Sequence, residues 1–278
     1  MIVKRAAVML TLGPLVLWLI YLGGWFMFAP LVVIMLIACG EFGRMTAELN
    51  IKFPLWLVGT NVVLHQLVAL LAPADKAPIW LMATLFLGLF SALLYALRQY
   101  EHGHKNATKT LFGSIVTIIF LGWLGSHPML LRNIDPARGS IYWQWTMVAV
   151  VATWLSDTGA YLVGSFLAGK VLGRHPLTPR LSPKKTYEGY IGGVITGTLC
   201  AALIGIFVFS LPTNTVIGLS ALLAAVGTAG DLAISMLKRE SGIKDSGHIF
   251  PGHGGALDRV DSLLWSIALA YYFLYFFG

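Results

Sequence analysis

Charge is what this sequence has least of. Of its 278 residues only 12 are Asp or Glu and 19 are Lys or Arg, 11% in all, against 57% hydrophobic residues. So little charge cannot cover the surface of a soluble domain, which excludes that class. Cysteine is scarcer still. Cys39 and Cys200 both fall in apolar stretches, with no neighbour at metal-ligand or redox-motif spacing, and read as small packing residues. Internal repeats, low-complexity tracts and Ser/Pro-rich linkers are absent as well. Nothing therefore divides the chain, and a single transmembrane domain over 1–278 is expected, with amino-terminal helices in 1–140 and the chemistry-bearing half in 141–278.

What the sequence has in abundance is apolar stretches of roughly 20 residues, the length that spans a bilayer. The fold class expected is an all-α polytopic membrane protein of about nine transmembrane helices, over 6–22, 25–42, 53–72, 78–97, 111–131, 142–168, 189–210, 213–237 and 258–277. The first span follows Lys4 and Arg5 in the manner of a signal peptide, but it runs through Gly23 and Gly24 almost directly into the second and is expected to be retained. In this nine-span arrangement only Lys76, Arg132 and Arg138 of the 19 basic residues fall on one side. That asymmetry puts the amino terminus and the loops after the even-numbered spans in the cytoplasm. It also explains most of the net charge of +7 without any nucleic-acid partner. Asn106-Ala107-Thr108 matches a glycosylation acceptor but lies on the cytoplasmic side, where it carries no weight.

Polarity concentrates in the loop "SMLKRESGIKDSGHIFPGHGGALDRVDS", residues 235–262. Asp231 and Ser235, four apart, share a helix face just before it. At 1.5 Å per residue Asp231 sits about 10 Å below Lys238, a depth at which a carboxylate costs about 2.5–3.5 kcal/mol unless it faces protein, water or a cation. Asp258 and Asp261 share a face on the first turn of the last span, where a helix amino terminus favours negative charge. Three carboxylates from two helix ends suit a hard divalent cation, Mg2+ above all. The alternative is structural ion pairing with Lys238, Arg239 and Arg259. Between the carboxylates stand Lys238, Arg239, Lys244, His253, Gly254 and Gly255, residue types that neutralise phosphate and let backbone N–H groups approach it. His248 and His253 have no third histidine or cysteine nearby to make a zinc site, and hydrogen bonding suits His253 better.

A second polar constellation brackets the basic loop after the sixth span. "SDTGAY" places Ser156 and Asp157 in apolar surroundings, and "PLTPRLSPKKTYEG" follows. Pro176, Pro179 and Pro183 disfavour a helix, so Arg180, Ser182, Lys184, Lys185 and Thr186 are expected on a shaped loop. Charge alone would also fit a topology signal beside anionic headgroups. Asp157 is either a further acidic group for the pocket or a partner for a nearby lysine.

The run Ser235-x-Leu237-Lys238-Arg239-x4-Lys244-Asp245-x-Gly247-x2-Phe250-Pro251-x-His253-Gly254-Gly255-x2-Asp258-Arg259-x-Asp261 closely resembles the signature of the phosphatidate cytidylyltransferase (CDP-diacylglycerol synthase) family. "SDTGAY" and "SPKKTYEG" resemble that family's upstream segments, so the likeness covers about 150–278, while the first 140 residues match only as hydrophobic helices. Ala256 departs from the larger aliphatic residue usual there. The resemblance implies a nucleotidyltransferase that joins CTP and phosphatidate into CDP-diacylglycerol and pyrophosphate, working as a metal-dependent homodimer in membrane lipid. It implies that Asp231 and Asp258 ligate Mg2+, with Asp261 in or just outside the coordination sphere and a second cation such as K+ nearby. Lys238, Arg239 and Arg259 would balance substrate phosphates, and Ser182, Lys184, Lys185 and Thr186 would grip a phosphate from the opposite side, with Lys244, His253, Gly254 and Gly255 also on substrate. The compact chain resembles a bacterial inner-membrane form whose polar funnel opens to the cytoplasm, and direct in-line transfer is expected, since no supported protein nucleophile stands in the pocket. A transporter of a phosphorylated solute, or another membrane phospholipid-synthesis transferase, is the alternative. The first usually shows repeats, and the motif of CDP-alcohol phosphotransferases is absent.

Overall fold

A computed structural model describes residues 2–134, 141–250 and 254–277, with side chains from Thr11 onward. Among them the chain forms helical rods α1 (Ile2–Leu22), α2 (Gly24–Glu48), α3 (Leu55–Leu71), α4 (Ala77–Glu101), α5 (Ala107–Arg132), α6 (Ile141–Leu167), α7 (Tyr187–Val208), α8 (Thr213–Glu240) and α9 (Leu257–Phe277). Each corresponds to one expected span. Seven of them, α2 and α4 to α9, are long and apolar enough to cross a membrane. The protein is an all-α, multi-pass membrane protein. Its surface agrees: Ile79, Phe86 and Leu87 on α4 are more than 60% exposed, an arrangement that water would penalise and lipid does not.

The helices outrun the apolar windows at several ends. An apolar reading stops at the first polar residues, but a helix continues until a turn breaks it. α2 reaches Glu48, just short of Asn50 with φ 58°, and α4 reaches Glu101, just short of Gly103 with φ 77°. The proline-rich segment after α6 is a small antiparallel hairpin, β1 (Pro176–Thr178) with β2 (Ser182–Thr186), Thr178 facing Ser182 and Pro176 facing Thr186. Proline is tolerated in so short and two-stranded a sheet because every strand is an edge.

The chain divides into two compact units. The first contains Met1–Ala137 and Leu237–Val260, so the end of α8, the polar loop and the first turn of α9 belong with the amino-terminal helices. The core of this unit is built on α5, where Ile118, Leu121, Met129 and Leu131 have no exposed surface. The second unit contains Arg138–Met236 and Asp261–Gly278. There α6 and α7 pack through a glycine stripe. Gly189, Gly193 and Gly197, spaced by four, lie against the backbone carbonyls of Ala160, Ser156 and Ala152, and a Cβ at these positions would stand only 2.9, 2.6 and 2.5 Å from those oxygens. Small residues at this spacing let helix backbones approach closely in a membrane.

Candidate active site

In the first unit the polar loop folds around two carboxylates. Asp258, in the first turn of α9, accepts from Lys238 Nζ at 2.8 Å through Oδ1, and from the backbone N–H groups of Ser246 and Gly255, both at 3.0 Å, through Oδ2. The two side chains of this pair are 13% and 7% exposed. Gly254 has φ 78°, and a Cβ there would overlap the Asp258 carboxylate. Lys238 is delivered by the last turn of α8, two residues before the helix ends, where a cation also meets the favourable end of the helix dipole.

The second carboxylate is Glu41 of α2, 2% exposed. Its Oε2 accepts from Ser246 Oγ at 2.9 Å and from the Leu257 N–H at 2.9 Å, while Oε1 accepts from the Ala256 N–H at 3.1 Å. Glu41 thus satisfies amide donors at the start of α9 that have no partner within that helix. Gly247 and Gly255 are glycines for a steric reason, since a Cβ at either would overlap the Glu41 carboxylate. Ala256, the departure from the usual larger residue, is fully buried in this packing.

The second unit holds the other carboxylate–lysine pair. Lys185 on β2 meets Asp231 Oδ2 on α8, the side chains 28% and 30% exposed. Thr186, next in the strand, is buried and accepts from the Gly189 N–H at 3.0 Å, capping α7. Glu188 in the first turn of α7 reaches back to His175, 2.5 Å from Nδ1, and fixes the base of the hairpin. Ser156 donates to the Ala224 carbonyl at 2.9 Å and ties α6 to α8. Beside Asp231, Gly230 packs against the backbone carbonyl of Asp261, so α8 and α9 cross there. Asp261 itself is 5% exposed and accepts from the Ser262 N–H at 2.7 Å.

The sequence-predicted residues are therefore distributed as follows. Lys238, Arg239, Lys244, Gly254, Gly255, Asp258 and Arg259 belong to the first unit, with Arg239, Lys244 and Arg259 exposed. Ser182, Lys184, Lys185, Thr186, Asp231 and Asp261 belong to the second, with Lys184 and Asp157 exposed. His253 lies outside the described residues. Among the described residues no three His, Cys, Asp or Glu side chains are grouped at metal-binding distance. Asp258 is met by Lys238, one of the partners named in the ion-pair alternative, whereas Asp231 is met by Lys185, which that alternative did not include. Glu41 is the residue that sequence reasoning missed. Its signal was an acidic residue near the end of an apolar span, but its partners lie 205 to 216 positions away.

Comparison with known proteins extends these observations beyond the polar segments. The profile of the cytidylyltransferase family matches residues 3–277. The phosphatidate cytidylyltransferase of Haemophilus influenzae is 40% identical over 152 residues, which is 51% of this chain and 48% of that protein. That of Staphylococcus aureus is 42% identical over 126 residues, 45% of this chain and 46% of the relative. These two alignments span about half the length of the relatives. The Synechocystis phosphatidate cytidylyltransferase is 32% identical over 283 residues, covering 92% of this chain and 90% of its own. Because the match runs through the amino-terminal helices as well as the polar loop, the chain belongs to the cytidylyltransferase family.

Proposed function

We propose that this protein is a nucleotidyltransferase that moves the cytidylyl group of CTP onto phosphatidate, giving CDP-diacylglycerol and pyrophosphate at the cytoplasmic face of an inner membrane. The observation that carries this reading is the pair of carboxylate–lysine contacts, Lys238 with Asp258 and Lys185 with Asp231, in which Lys238, Asp258 and Lys185 fall inside segments that resemble the family's conserved ones and Asp231 lies four residues before one of them. Both lysines offer cationic groups to phosphate oxygens. A substrate phosphate that took the place of a carboxylate would keep the ammonium charge matched, and a bound cation would match the carboxylate so released.

The donor set fits a hard cation. Mg2+ commonly takes one or two protein carboxylates and completes its sphere with water and substrate phosphate. Asp231 engages Lys185 through Oδ2 and is about a third exposed, while Asp258 commits Oδ2 to two N–H donors and offers Oδ1, the oxygen that meets Lys238. As the family resemblance implies, Asp231 and Asp258 would hold the ion, with Asp261 in or just outside the coordination sphere and a second cation such as K+. When bound, the metal would neutralise charge on the triphosphate.

The remaining roles fall to the chain's own side chains. Lys238, Arg239 and Arg259 balance the charge building on the α-phosphate and the departing pyrophosphate. Ser182, Lys184 and Lys185 on the hairpin, with Thr186 at its helix cap and Lys244 and His253 from the polar loop, hold phosphate groups. A phosphatidate oxygen then attacks the α-phosphorus in line as the bond to pyrophosphate breaks, a step that asks the protein mainly for positioning and charge. A polar funnel open to the cytoplasm would admit CTP while phosphatidate stays in the bilayer, and two copies are expected to form a homodimer.

The test is an assay of detergent-purified protein with phosphatidate, Mg2+ and each nucleoside triphosphate in turn. CTP should give pyrophosphate and a lipid-linked nucleotide, and labelled pyrophosphate should exchange into CTP only in the presence of phosphatidate or CDP-diacylglycerol. Equal activity with ATP would overturn the nucleotide assignment, and robust exchange in lipid-free enzyme would overturn direct transfer.

A further inference from the structure

We infer that Glu41 on α2 is a positioning residue for the active site, acting on Asp258 through the backbone of the polar loop; this rests on the reading of Asp258 and Lys238 as site residues. The two carboxylates use neighbouring donors on the same two pieces of chain. Ser246 donates its N–H to Asp258 and its hydroxyl to Glu41. The Gly255 N–H goes to Asp258, and the next two N–H groups, of Ala256 and Leu257, go to Glu41. Holding Ser246 and Ala256–Leu257 in place therefore sets the two N–H groups that orient Asp258, and through it Lys238.

The chemistry demands a carboxylate rather than a residue of similar size. Each Glu41 oxygen accepts from a backbone N–H, Oε1 from Ala256 and Oε2 from Leu257. Glutamine has one accepting oxygen, so in either orientation its NH2 group would face an N–H donor at about 3 Å, and no flip relieves the conflict. Gly247 and Gly255 already abut the carboxylate, and the site has no slack in which to turn away. The negative charge also faces the amino terminus of α9, which favours it.

The experiment compares wild type with Glu41→Gln, Glu41→Asp and Ser246→Ala as full-length proteins in detergent, by hydrogen exchange of the 241–257 segment and by kcat and KM for CTP. Glu41→Gln should speed exchange in that segment about tenfold or more, leave exchange elsewhere unchanged and lower kcat about tenfold or more, with KM within about threefold. Ser246→Ala, which removes one of three donors, should fall between wild type and Glu41→Gln. Glu41→Asp keeps two accepting oxygens and should retain more kcat than Glu41→Gln. The inference is overturned if Glu41→Gln leaves exchange and kcat within twofold of wild type. It is overturned equally if exchange rises throughout α2 to α5 while kcat per folded molecule is unchanged, or if Glu41→Asp is no better than Glu41→Gln. The exchange arm needs no substrate. Wild-type protein without CTP turnover would sink the functional reading alone, whereas normal turnover with unaltered exchange in Glu41→Gln would sink this one alone.

Discussion

The two carboxylate–lysine pairs sit in different surroundings, and the same substitution should therefore do different things to each. Asp258 and Lys238 are nearly buried, and removing one partner strands the other. Asp258→Asn should abolish turnover and also destabilise the protein by about 3 kcal/mol or more. Asp231 and Lys185 are about 30% exposed, so their mutual attraction is screened and worth about 0–1 kcal/mol. Asp231→Asn should therefore purify and melt like wild type while keeping less than about a tenth of its turnover, a loss of more than about 1.4 kcal/mol of transition-state stabilisation. Thermal unfolding followed by tryptophan emission, beside the CTP assay, separates the two outcomes. Retention of activity by Asp231→Asn would remove that residue from the ligand set. Both aspartates were legible in the sequence because they break apolar runs near helix ends. Glu41 breaks a run as well, but only the folded chain reveals that its partners are Ser246, Ala256 and Leu257.

At the level of helices, glycine has two opposite meanings, and α7 and α8 each supply one. Gly193 on α7 lies where a Cβ would stand 2.6 Å from the Ser156 carbonyl and 2.8 Å from the Ala160 Cβ, so Gly193→Ala must push α6 and α7 apart. Overpacking of this kind costs about 1–3 kcal/mol. Gly218 on α8 has nothing within 4 Å of an added Cβ. There the substitution only removes backbone freedom from the unfolded chain, and Gly218→Ala should stabilise by about 0.5–1 kcal/mol. Opposite shifts in melting temperature are expected, and a destabilised Gly218→Ala would contradict the open space around that position. The hairpin was legible only in part. The prolines at 176, 179 and 183 argued correctly against a helix, but strand pairing between Pro176–Thr178 and Ser182–Thr186 depends on a register that local sequence leaves open.

For the whole molecule, the distribution of Lys and Arg carries the prediction of sidedness. The hairpin between α6 and α7 and the loop between α8 and α9 are separated by two spans, so both should face the same compartment, and the positive-inside bias makes it the cytoplasm. In a background with Cys39 and Cys200 replaced, Arg180→Cys and His248→Cys, both at exposed positions, should react with a membrane-impermeant thiol reagent in inverted vesicles and not in intact cells. Labelling of either from outside would reverse the topology and close the cytoplasmic route for CTP.

The number, order and approximate limits of the nine helices among the described residues follow from the sequence alone. A bilayer requires about 20 apolar residues for each crossing, and that demand is written locally in the seven helices long and apolar enough to cross it. The polar loop and the basic hairpin were visible for the same reason, as exceptions to an apolar background. Tertiary structure alone decided which donors each carboxylate takes. It placed Glu41 under Leu257, although 216 positions separate them, and it gave Gly247 and Gly255 to that carboxylate. It also returned Leu237–Val260 to the amino-terminal helices. Hydrogen bonds and steric fit act over about 3 Å in space with no regard to separation along the chain, and hydropathy, which records each residue's preference for lipid or water, carries no information about which polar group will be the partner of another.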